Sequence, residues 1–199
     1  DFTVEYMSDQ ALIALQGPKA AQVMEELSPT ASHLTFMDSC HLSIGGVDCF
    51  VSRSGYTGED GFEISVDQAH VQSLSEQLLA NGIVKWAGLG ARDSLRLEAG
   101  LCLYGNELNE TISPVQAGLL WTISKSRRPG GIKEGGFLGD EAIFSEIART
   151  PKRCRVALVV EHRVPVRRGA KIVDNLGDVI GVVTSGGFSP TLGLPIAMG

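Results

Sequence analysis

The sequence predicts an α+β fold over residues 1–150, followed over residues 151–199 by the start of an all-β domain. Three observations support this prediction. Helix and strand patterns are mixed up to Thr150, strand patterns alone fill the residues after it, and 43% of the 199 residues are hydrophobic. That apolar fraction can bury a sizeable core, which argues against general disorder.

The first elements are predicted from short apolar runs and from the residues that follow them. Residues 11–15 (ALIAL) form a continuous apolar run, which is typical of a buried strand. Pro18 suits the first turn of a helix whose apolar stripe extends over residues 20–27. Two alternating runs within residues 41–51 flank Gly45-Gly46. Paired glycines between such runs predict a β-hairpin, because both turn positions need a positive φ.

The next segment predicts one strand and two helices. Residues 62–66 (FEISV) alternate between apolar and polar side chains, as in a half-buried strand. Asp67 is expected to cap a helix that Gly82 closes, since apolar residues recur at helical spacing between them. A further helix is expected over residues 91–99, ending at Gly100.

The character of the sequence changes near Thr150. A helix is predicted over residues 140–149. Three short β runs follow it, at residues 155–160, 170–173 and 179–183. Residues 184–190 (TSGGFSP) are rich in glycine but lack the spacing of a phosphate-binding loop, so an irregular β connection is expected there.

Charge and cysteine content narrow the classes of function. Seventeen Lys and Arg against 23 Asp and Glu give a net charge of −6, which is not the basic footprint of a nucleic-acid-binding protein. No apolar run reaches the roughly 18 residues of a membrane span. The four cysteines form no Cys-x-x-Cys pair and the four histidines lack metal-ligand spacing. We therefore expect free, mostly buried thiols and no metal site.

Residues 55–63 (GYTGEDGFE) form the densest polar cluster of the sequence. In the strand that follows, Phe62, Ile64 and Val66 share one face, so Glu63 points the other way. A carboxylate in a pocket there could accept two parallel N–H bonds from the edge of a pterin or guanine ring. The alternative is a solvated strand glutamate after an ordinary turn, and the residue pattern alone favours that alternative.

A second cluster, residues 88–100, begins like a dinucleotide-binding fingerprint, but the third glycine of that motif is missing. Arg92 and Arg96 lie four residues apart, hence on one helix face. Arg92 falls in the first turn, where a positive charge opposes the helix dipole, and an arginine so placed often has an anionic partner elsewhere. Spacing alone favours the alternative, a surface ion pair with Asp93 or Glu98.

Two aromatic residues, Trp121 and Phe36, could stack on a planar ligand. Lone aromatic side chains more often belong to the core, so the residue type alone favours a core position for both. No Ser/His/Asp or Cys/His arrangement stands out, and the residues alone predict no nucleophilic catalysis.

Five segments together resemble the aminomethyltransferase family, the T-proteins of the glycine cleavage system. The longest matches are residues 55–63 and residues 91–106 (ARDSLRLEAGLCLYGN). The shorter ones are residues 14–18 (ALQGP), 184–190 and 196–199 (IAMG). They occur in order, so the resemblance spans the whole chain.

The resemblance implies a tetrahydrofolate-dependent reaction. In this family the H-protein presents an aminomethyl group on its lipoyl arm, and the T-protein releases ammonia and forms 5,10-methylenetetrahydrofolate. Tetrahydrofolate would be the one-carbon acceptor substrate and the lipoyl-bearing H-protein the partner, with no metal, no nucleic acid and no membrane span. The implied location is mitochondrial, with the cytoplasm as the alternative for a bacterial source.

The resemblance also implies which residues bind folate. Glu63 and Arg92 match the folate-binding Glu and Arg of the family. The resemblance therefore favours folate binding over the solvated glutamate and the surface ion pair that the residue pattern alone favours. The candidates for lining the pocket are Tyr56, Trp121, Phe36 and Leu101. The catalytic Asp of the family lies upstream of the first matching motif, so no catalytic residue is expected in this chain.

The family fold implies two folate-binding α+β parts around a cavity, followed by a β-barrel. We therefore expect a folate-binding domain of the aminomethyltransferase type over residues 1–150, without its N-terminal part, and a truncated C-terminal β-barrel domain over residues 151–199. The absence of Met at Asp1 and the apolar stop at Gly199 suit a chain cut at both ends.

An acidic H-protein would need a local basic patch. The candidates are residues 126–128 with Lys133, and residues 152–153 with Arg155, while simple solvated charges are equally compatible with the pattern.

Two other functions remain open for such a sequence. One is a folate-binding domain fused in a sarcosine or dimethylglycine dehydrogenase, which would carry a flavin domain upstream. The other is a non-catalytic folate-binding protein of iron–sulfur cluster assembly. Those proteins carry a Cys-Tyr-Thr-Gly-Gln motif, whereas residues 55–59 here are Gly-Tyr-Thr-Gly-Glu, which argues against that function.

Overall fold

The computed structural model describes residues 3–149 and 151–199 of the chain. The chain divides into two compact units, one ending at Leu95 and the other comprising Arg96–Gly199. Thr150 lies outside the described residues, and the domain boundary expected near it stays a prediction.

The first unit is built on a four-stranded antiparallel sheet. Its strands are β1 (Gln10–Gln16), β2 (Ser39–Ile44), β3 (Val47–Ser52) and β4 (Gly61–Asp67). The strand order is β1-β4-β3-β2, so β1 lies at one edge of the sheet and β4 lies inside it. Gly45 and Gly46 join β2 to β3 with φ angles of 56° and 84°, which confirms the predicted hairpin and its reason.

Two helices, α1 (Ala20–Leu27) and α2 (Val71–Ala80), share a buried cluster with one face of this sheet. Its buried members include Val23 and Met24 of α1, Leu74 and Leu78 of α2, and Val51, Phe62, Ile64 and Val66 of the sheet. Because side chains alternate along a strand, the burial of Phe62 and Ile64 places Glu63 on the opposite face, as the sequence predicts.

The start of α2 differs from the prediction. Asp67 does not cap the helix, because it is still the last residue of β4, and its Oδ1 accepts a hydrogen bond from the Ala69 backbone N–H at 2.8 Å. His70 occupies the N-cap position without a side-chain cap. The helix ends at Ala80 with Asn81 as its C-cap, so Gly82 lies outside it. A short Asx turn has taken the place of the expected cap.

Helix α3 (Leu89–Glu98) begins two residues before the predicted start, and Gly100 follows it with a φ of 70°, as a C-terminal glycine should. Arg92 and Arg96, which are predicted to lie on one helix face, differ in their burial. Arg92 is exposed, whereas Arg96 is 2% exposed and its Nη1 lies 3.1 Å from Glu107 Oε2. Arg96 Nη2 also donates to Ser185 Oγ at 2.9 Å. The Arg96 guanidinium can be buried because Glu107 and Ser185, which lie far away in the sequence, accept its hydrogen bonds.

The second unit contains α4 (Asp140–Ile147) and five short strands. The strands are β5 (Ala157–Val159), β6 (Lys171–Val173), β7 (Val179–Val182), β8 (Ser185–Ser189) and β9 (Leu194–Met198). They form a three-stranded sheet of order β5-β9-β8 and a separate β6-β7 pair. Mixed helix and sheet followed by strands alone confirm the predicted fold class.

The irregular connection expected over residues 184–190 is instead largely the strand β8. A Cβ on Gly186 would lie 2.2 Å from the carbonyl oxygen of Val166. Glycine at this position therefore lets another part of the backbone approach the strand closely. This is the role that a glycine within a strand often has, and the local pattern does not reveal it.

The expectation about the cysteines is correct in one respect and wrong in another. No disulfide joins any of the four, all of which lie within the described residues. Only Cys49 is buried, whereas Cys40 and Cys102 are half-buried and Cys154 is exposed. Burial raises the pKa of the Cys49 thiol above its ordinary value, so this side chain behaves as a small apolar core residue.

Candidate functional site

The loop between β3 and β4 organises the candidate site. Arg53 and Asp60, at its two ends, form a two-pronged ion pair in which Nε donates to Oδ1 at 2.9 Å and Nη2 to Oδ2 at 2.7 Å. Arg53 Nη1 also donates to the carbonyl oxygen of Leu34 at 2.7 Å. The hydrogen bond from Arg53 lowers the pKa of Asp60 below its ordinary value. The loop is thus closed at its base by a charged pair.

Gln16, the last residue of β1, holds the same loop from the neighbouring strand. Its Nε2 donates to the Ser54 carbonyl oxygen at 3.0 Å, and its Oε1 accepts from Thr57 Oγ1 at 3.1 Å. A Cβ on Gly55 would lie 1.9 Å from Gln16 Oε1, and one on Gly61 would lie 2.4 Å from Nε2. A side chain at either position would therefore force the end of the Gln16 side chain to move.

Glu63 lies half-buried on β4, opposite Ala14 of β1 and Ser52 of β3. Its Oε2 accepts a hydrogen bond from Ser54 Oγ at 2.7 Å, and Ser54 Oγ lies 2.7 Å from Ser52 Oγ. The carboxylate is therefore not the freely solvated strand glutamate that the pattern alone favours. It is oriented by the loop that follows β3.

Arg92 contacts the same loop from the first turn of α3. Its guanidinium carbon lies 4.7 Å from the centroid of the Tyr56 ring, within the range of a cation–π interaction. Glu98, one of the two acidic partners suggested by spacing, instead accepts hydrogen bonds from Ser189 and Thr191 within the second unit. The loop between β3 and β4 thus contacts both the carboxylate of Glu63 and the cation of Arg92.

A cavity of about 980 Å³ lies in the first unit beside β1, the edge strand of the sheet. Its walls are mostly apolar side chains of β1, α1, α2 and the segment that precedes α3. Gln16, Thr57 and Arg92 supply polar groups to it. Glu63 and Tyr56 are not among its lining residues. Arg92 therefore faces this cavity, whereas the expectation that Glu63 projects into a pocket stays a prediction.

The remaining predicted residues are found in different surroundings. Phe36 belongs to the first unit and is 77% exposed, so it is not a core residue. Trp121 and Leu101 belong to the second unit, where Trp121 is 71% exposed and Leu101 is half-buried. Within the first unit the structure brings together Tyr56 and Arg92 and places Glu63 beside the same loop.

The sequence did not single out Ser52, Ser54 or Gln16, which hold the site together. Ser54 precedes the glycine-rich cluster by one residue, and Gln16 lies in one of the shorter matching segments. A polar residue at the end of an otherwise apolar strand was the available signal for Gln16. The contact of Ser54 with Glu63 depends on the loop path, and no local pattern predicts that path.

Over residues 3–149 and 151–199, no group of three or more His, Cys, Asp or Glu residues is arranged to hold a metal ion. In the same part of the chain, no helix is long and apolar enough to cross a membrane.

Comparison with known protein families gives two matches. Residues 1–127 match the family described as the GCVT N-terminal domain. Residues 153–199 match the family described as the glycine cleavage T-protein C-terminal barrel domain.

Individual relatives agree with these matches. The chain is 49% identical to the probable mitochondrial aminomethyltransferase of Schizosaccharomyces pombe, over 98% of this chain and 50% of that protein. It is 50% identical to the mitochondrial aminomethyltransferase of Pisum sativum, over 96% of this chain and 46% of that protein. The chain thus spans about half the length of the curated relatives it matches.

Among solved structures, the glycine cleavage system aminomethyltransferase T of Bartonella henselae superposes with a TM-score of 0.85 at 44% identity. The alignment covers 95% of this chain and 50% of that one. The agreement extends over both the α+β part and the later strands.

Proposed function

Because the chain belongs to the glycine cleavage T-protein family, we propose that it acts in tetrahydrofolate-dependent aminomethyl transfer. In this reaction ammonia is released from the aminomethyl-lipoyl arm of an H-protein, and tetrahydrofolate becomes 5,10-methylenetetrahydrofolate. The observation that carries the proposal is that one loop, between β3 and β4, contacts both Glu63 and Arg92. These residues supply the hydrogen-bond acceptor and the cation that a folate needs.

Glu63 suits the pterin end of the ligand. The pterin ring presents neighbouring N–H groups along one edge, and a carboxylate can accept two parallel hydrogen bonds from such an edge. Arg92 suits the opposite, anionic end, because a guanidinium binds carboxylates such as those of the glutamyl tail in a two-pronged geometry. Tyr56, Phe36, Leu101 and Trp121 are further proposed folate-binding residues.

The proposed contribution of these residues to the reaction is positioning. Holding the pterin by Glu63 and the tail by Arg92 would fix N5 and N10 of tetrahydrofolate relative to the incoming carbon. Such fixed geometry lowers the entropic part of the barrier, and preorganised polar groups stabilise the developing iminium charge. A proton-transferring Asp, which the family supplies upstream of the first matching motif, is not among the residues assigned here.

We propose that the acidic H-protein docks on the basic loop of residues 126–128 with Lys133, in which Arg127 and Lys133 are exposed. In this loop Arg127 and Arg128 each donate to one backbone carbonyl oxygen, whereas the arginines of the other basic segment form more hydrogen bonds. Arg155 donates to the carbonyl oxygens of Ala117 and Gly100, and Arg153 Nε donates to Gln116 Oε1. Arginines that already form hydrogen bonds within the unit add less to the electrostatic attraction of an acidic partner. A mitochondrial location is proposed on the names of the relatives.

Calorimetric titration with tetrahydrofolate tests the site. Glu63→Ala and Arg92→Ala should each weaken binding by roughly 10-fold to 100-fold, the equivalent of losing hydrogen bonds to a charged group. Glu110→Ala and Arg149→Ala remove exposed charges of the same kinds and serve as controls with unchanged affinity. Wild-type affinity in both site variants would refute the assignment.

A further inference from the structure

We propose that Ser54 is a positioning residue that fixes the carboxylate of Glu63 for folate binding. The proposal rests on the proposed role of Glu63 and adds to it a residue that lies outside all five segments that resemble the family. It is carried by a row of three side chains, Ser52, Ser54 and Glu63, joined by contacts of 2.7 Å each.

The direction of these hydrogen bonds follows from chemistry. An ionised carboxylate only accepts, so Ser54 must donate its single hydroxyl hydrogen to Glu63 Oε2. Ser54 Oγ can then only accept in its contact with Ser52, which makes Ser52 the donor. Hydrogen bonds aligned in one direction polarise and strengthen one another, so the row delivers a stronger donor to Glu63 than an isolated serine would.

The backbone holds this row in place. Ser52 lies directly across from Glu63 in the pairing of β3 with β4. The carbonyl oxygen of Ser54 accepts from Gln16 Nε2 at 3.0 Å, so the residue is tied to β1 as well. The Ser54 hydroxyl is therefore presented from a loop position fixed on two sides.

The ligand therefore meets a Glu63 carboxylate in which Ser54 orients one oxygen, while the other oxygen is available to accept a hydrogen bond from the ligand. Among the hydrogen bonds of the described residues none reaches Glu63 Oε1, and Oε2 keeps a second lone pair beside the Ser54 contact. A glutamate side chain otherwise loses rotamer freedom when it binds a ligand. Because Ser54 restricts that freedom beforehand, more of the interaction energy appears as affinity.

A double-mutant cycle measured by tetrahydrofolate calorimetry tests the proposal. Ser54→Ala should weaken binding about threefold to tenfold, the effect of one hydrogen bond. Ser54→Thr, which keeps the hydroxyl, should restore most of the affinity. Ser43→Ala removes an exposed serine from β2 and should change nothing. In a Glu63→Ala background the effect of Ser54→Ala should disappear, because Ser54 acts through that carboxylate.

The outcomes separate this inference from the proposed function. If Glu63→Ala weakens binding and Ser54→Ala does not, Ser54 has no positioning role and the folate site stands. If Ser54→Ala weakens binding equally with and without Glu63, Ser54 acts by another route and the inference fails. Unchanged binding in Glu63→Ala overturns both. Should the Ala variant not fold, Ser54→Cys keeps the size with only a weak donor and takes its place in the cycle.

Discussion

The guanidinium carbon of Arg92 lies 4.7 Å from the centre of the Tyr56 ring, joining the first turn of α3 to the loop between β3 and β4. A cation in that turn opposes the helix dipole and costs about 0.3–1 kcal/mol, which is comparable to the roughly 0.5–1 kcal/mol of an exposed cation–π contact. The ring also limits where the guanidinium can lie. We therefore expect Tyr56 to position Arg92 in addition to its own proposed contact with folate.

Replacing Tyr56 tests this relationship. Tyr56→Leu removes the aromatic face and should weaken tetrahydrofolate binding by roughly threefold, since an exposed cation–π contact is worth about 0.5–1 kcal/mol. Tyr56→Phe keeps the ring and should retain more of the affinity. Calorimetry of both variants provides the measurement, and equal losses in the two would show that the ring does not position Arg92.

The Arg53–Asp60 pair should make stability depend on pH. Asp60 has a pKa below its ordinary value of 3.8, chiefly because of the hydrogen bond from Arg53. Its contribution is thus present above the unfolded pKa and is lost as the pH falls through the lower folded pKa. The two side chains are 23% and 34% exposed, so screening keeps the contribution near 1 kcal/mol. Urea unfolding should show Asp60→Asn destabilised at pH 7, with the difference shrinking below about pH 4.

The buried Arg96–Glu107 pair predicts a larger effect. Glu107→Ala leaves the 2% exposed guanidinium of Arg96 without its carboxylate, which should cost about 3–5 kcal/mol of unfolding free energy. The double variant Arg96→Met/Glu107→Leu removes both charges and should recover much of that loss. Glu110→Ala, an exposed control, should stay within about 0.5 kcal/mol of wild type in the same urea titration. A Glu107→Ala protein of unaltered stability would contradict this account.

Gly55 offers a test of the loop anchor. An alanine there would place its Cβ 1.9 Å from Gln16 Oε1, so the Gln16 side chain must move and release Ser54 and Thr57. We expect Gly55→Ala to lower the unfolding free energy by about 1–2 kcal/mol, the cost of two hydrogen bonds at partly buried groups. Gly82→Ala, where nothing lies within 4 Å, is the matched control. Similar thermal melting of the two variants would disprove the anchor.

Local sequence patterns predicted those parts of the fold that depend on only a few residues adjacent in the sequence. The Gly45-Gly46 hairpin needs two adjacent residues that tolerate positive φ, and the outward direction of Glu63 needs only the alternation of β4. The prediction that Asp67 caps α2 is wrong because an Asp carboxylate can accept a hydrogen bond either in a turn or at a helix N-terminus. Only the length of β4 decides between these two arrangements.

Distant contacts account for what the sequence did not predict. β8 depends on the close approach of Val166 to Gly186, and the burial of Arg96 depends on Glu107 and Ser185. In the site, residue types identified Glu63 and Arg92 only when joined to a family resemblance. The contribution of Ser54 depends on the loop path alone. Their roles toward folate stay predictions until binding is measured.

The strand order β1-β4-β3-β2 also bears on the sequence of events during folding. β2, β3 and β4 are joined by short connections, whereas β1 must pair with β4 across all the residues between them, Gln16 with Gly61 and Gln10 with Asp67. Closing the longer chain segment costs more entropy, so we expect the three-stranded meander to form in the transition state and β1 to join afterwards. Kinetic φ-values should then be high for Val51→Ala and low for Leu15→Ala, and the reverse order would exclude this pathway.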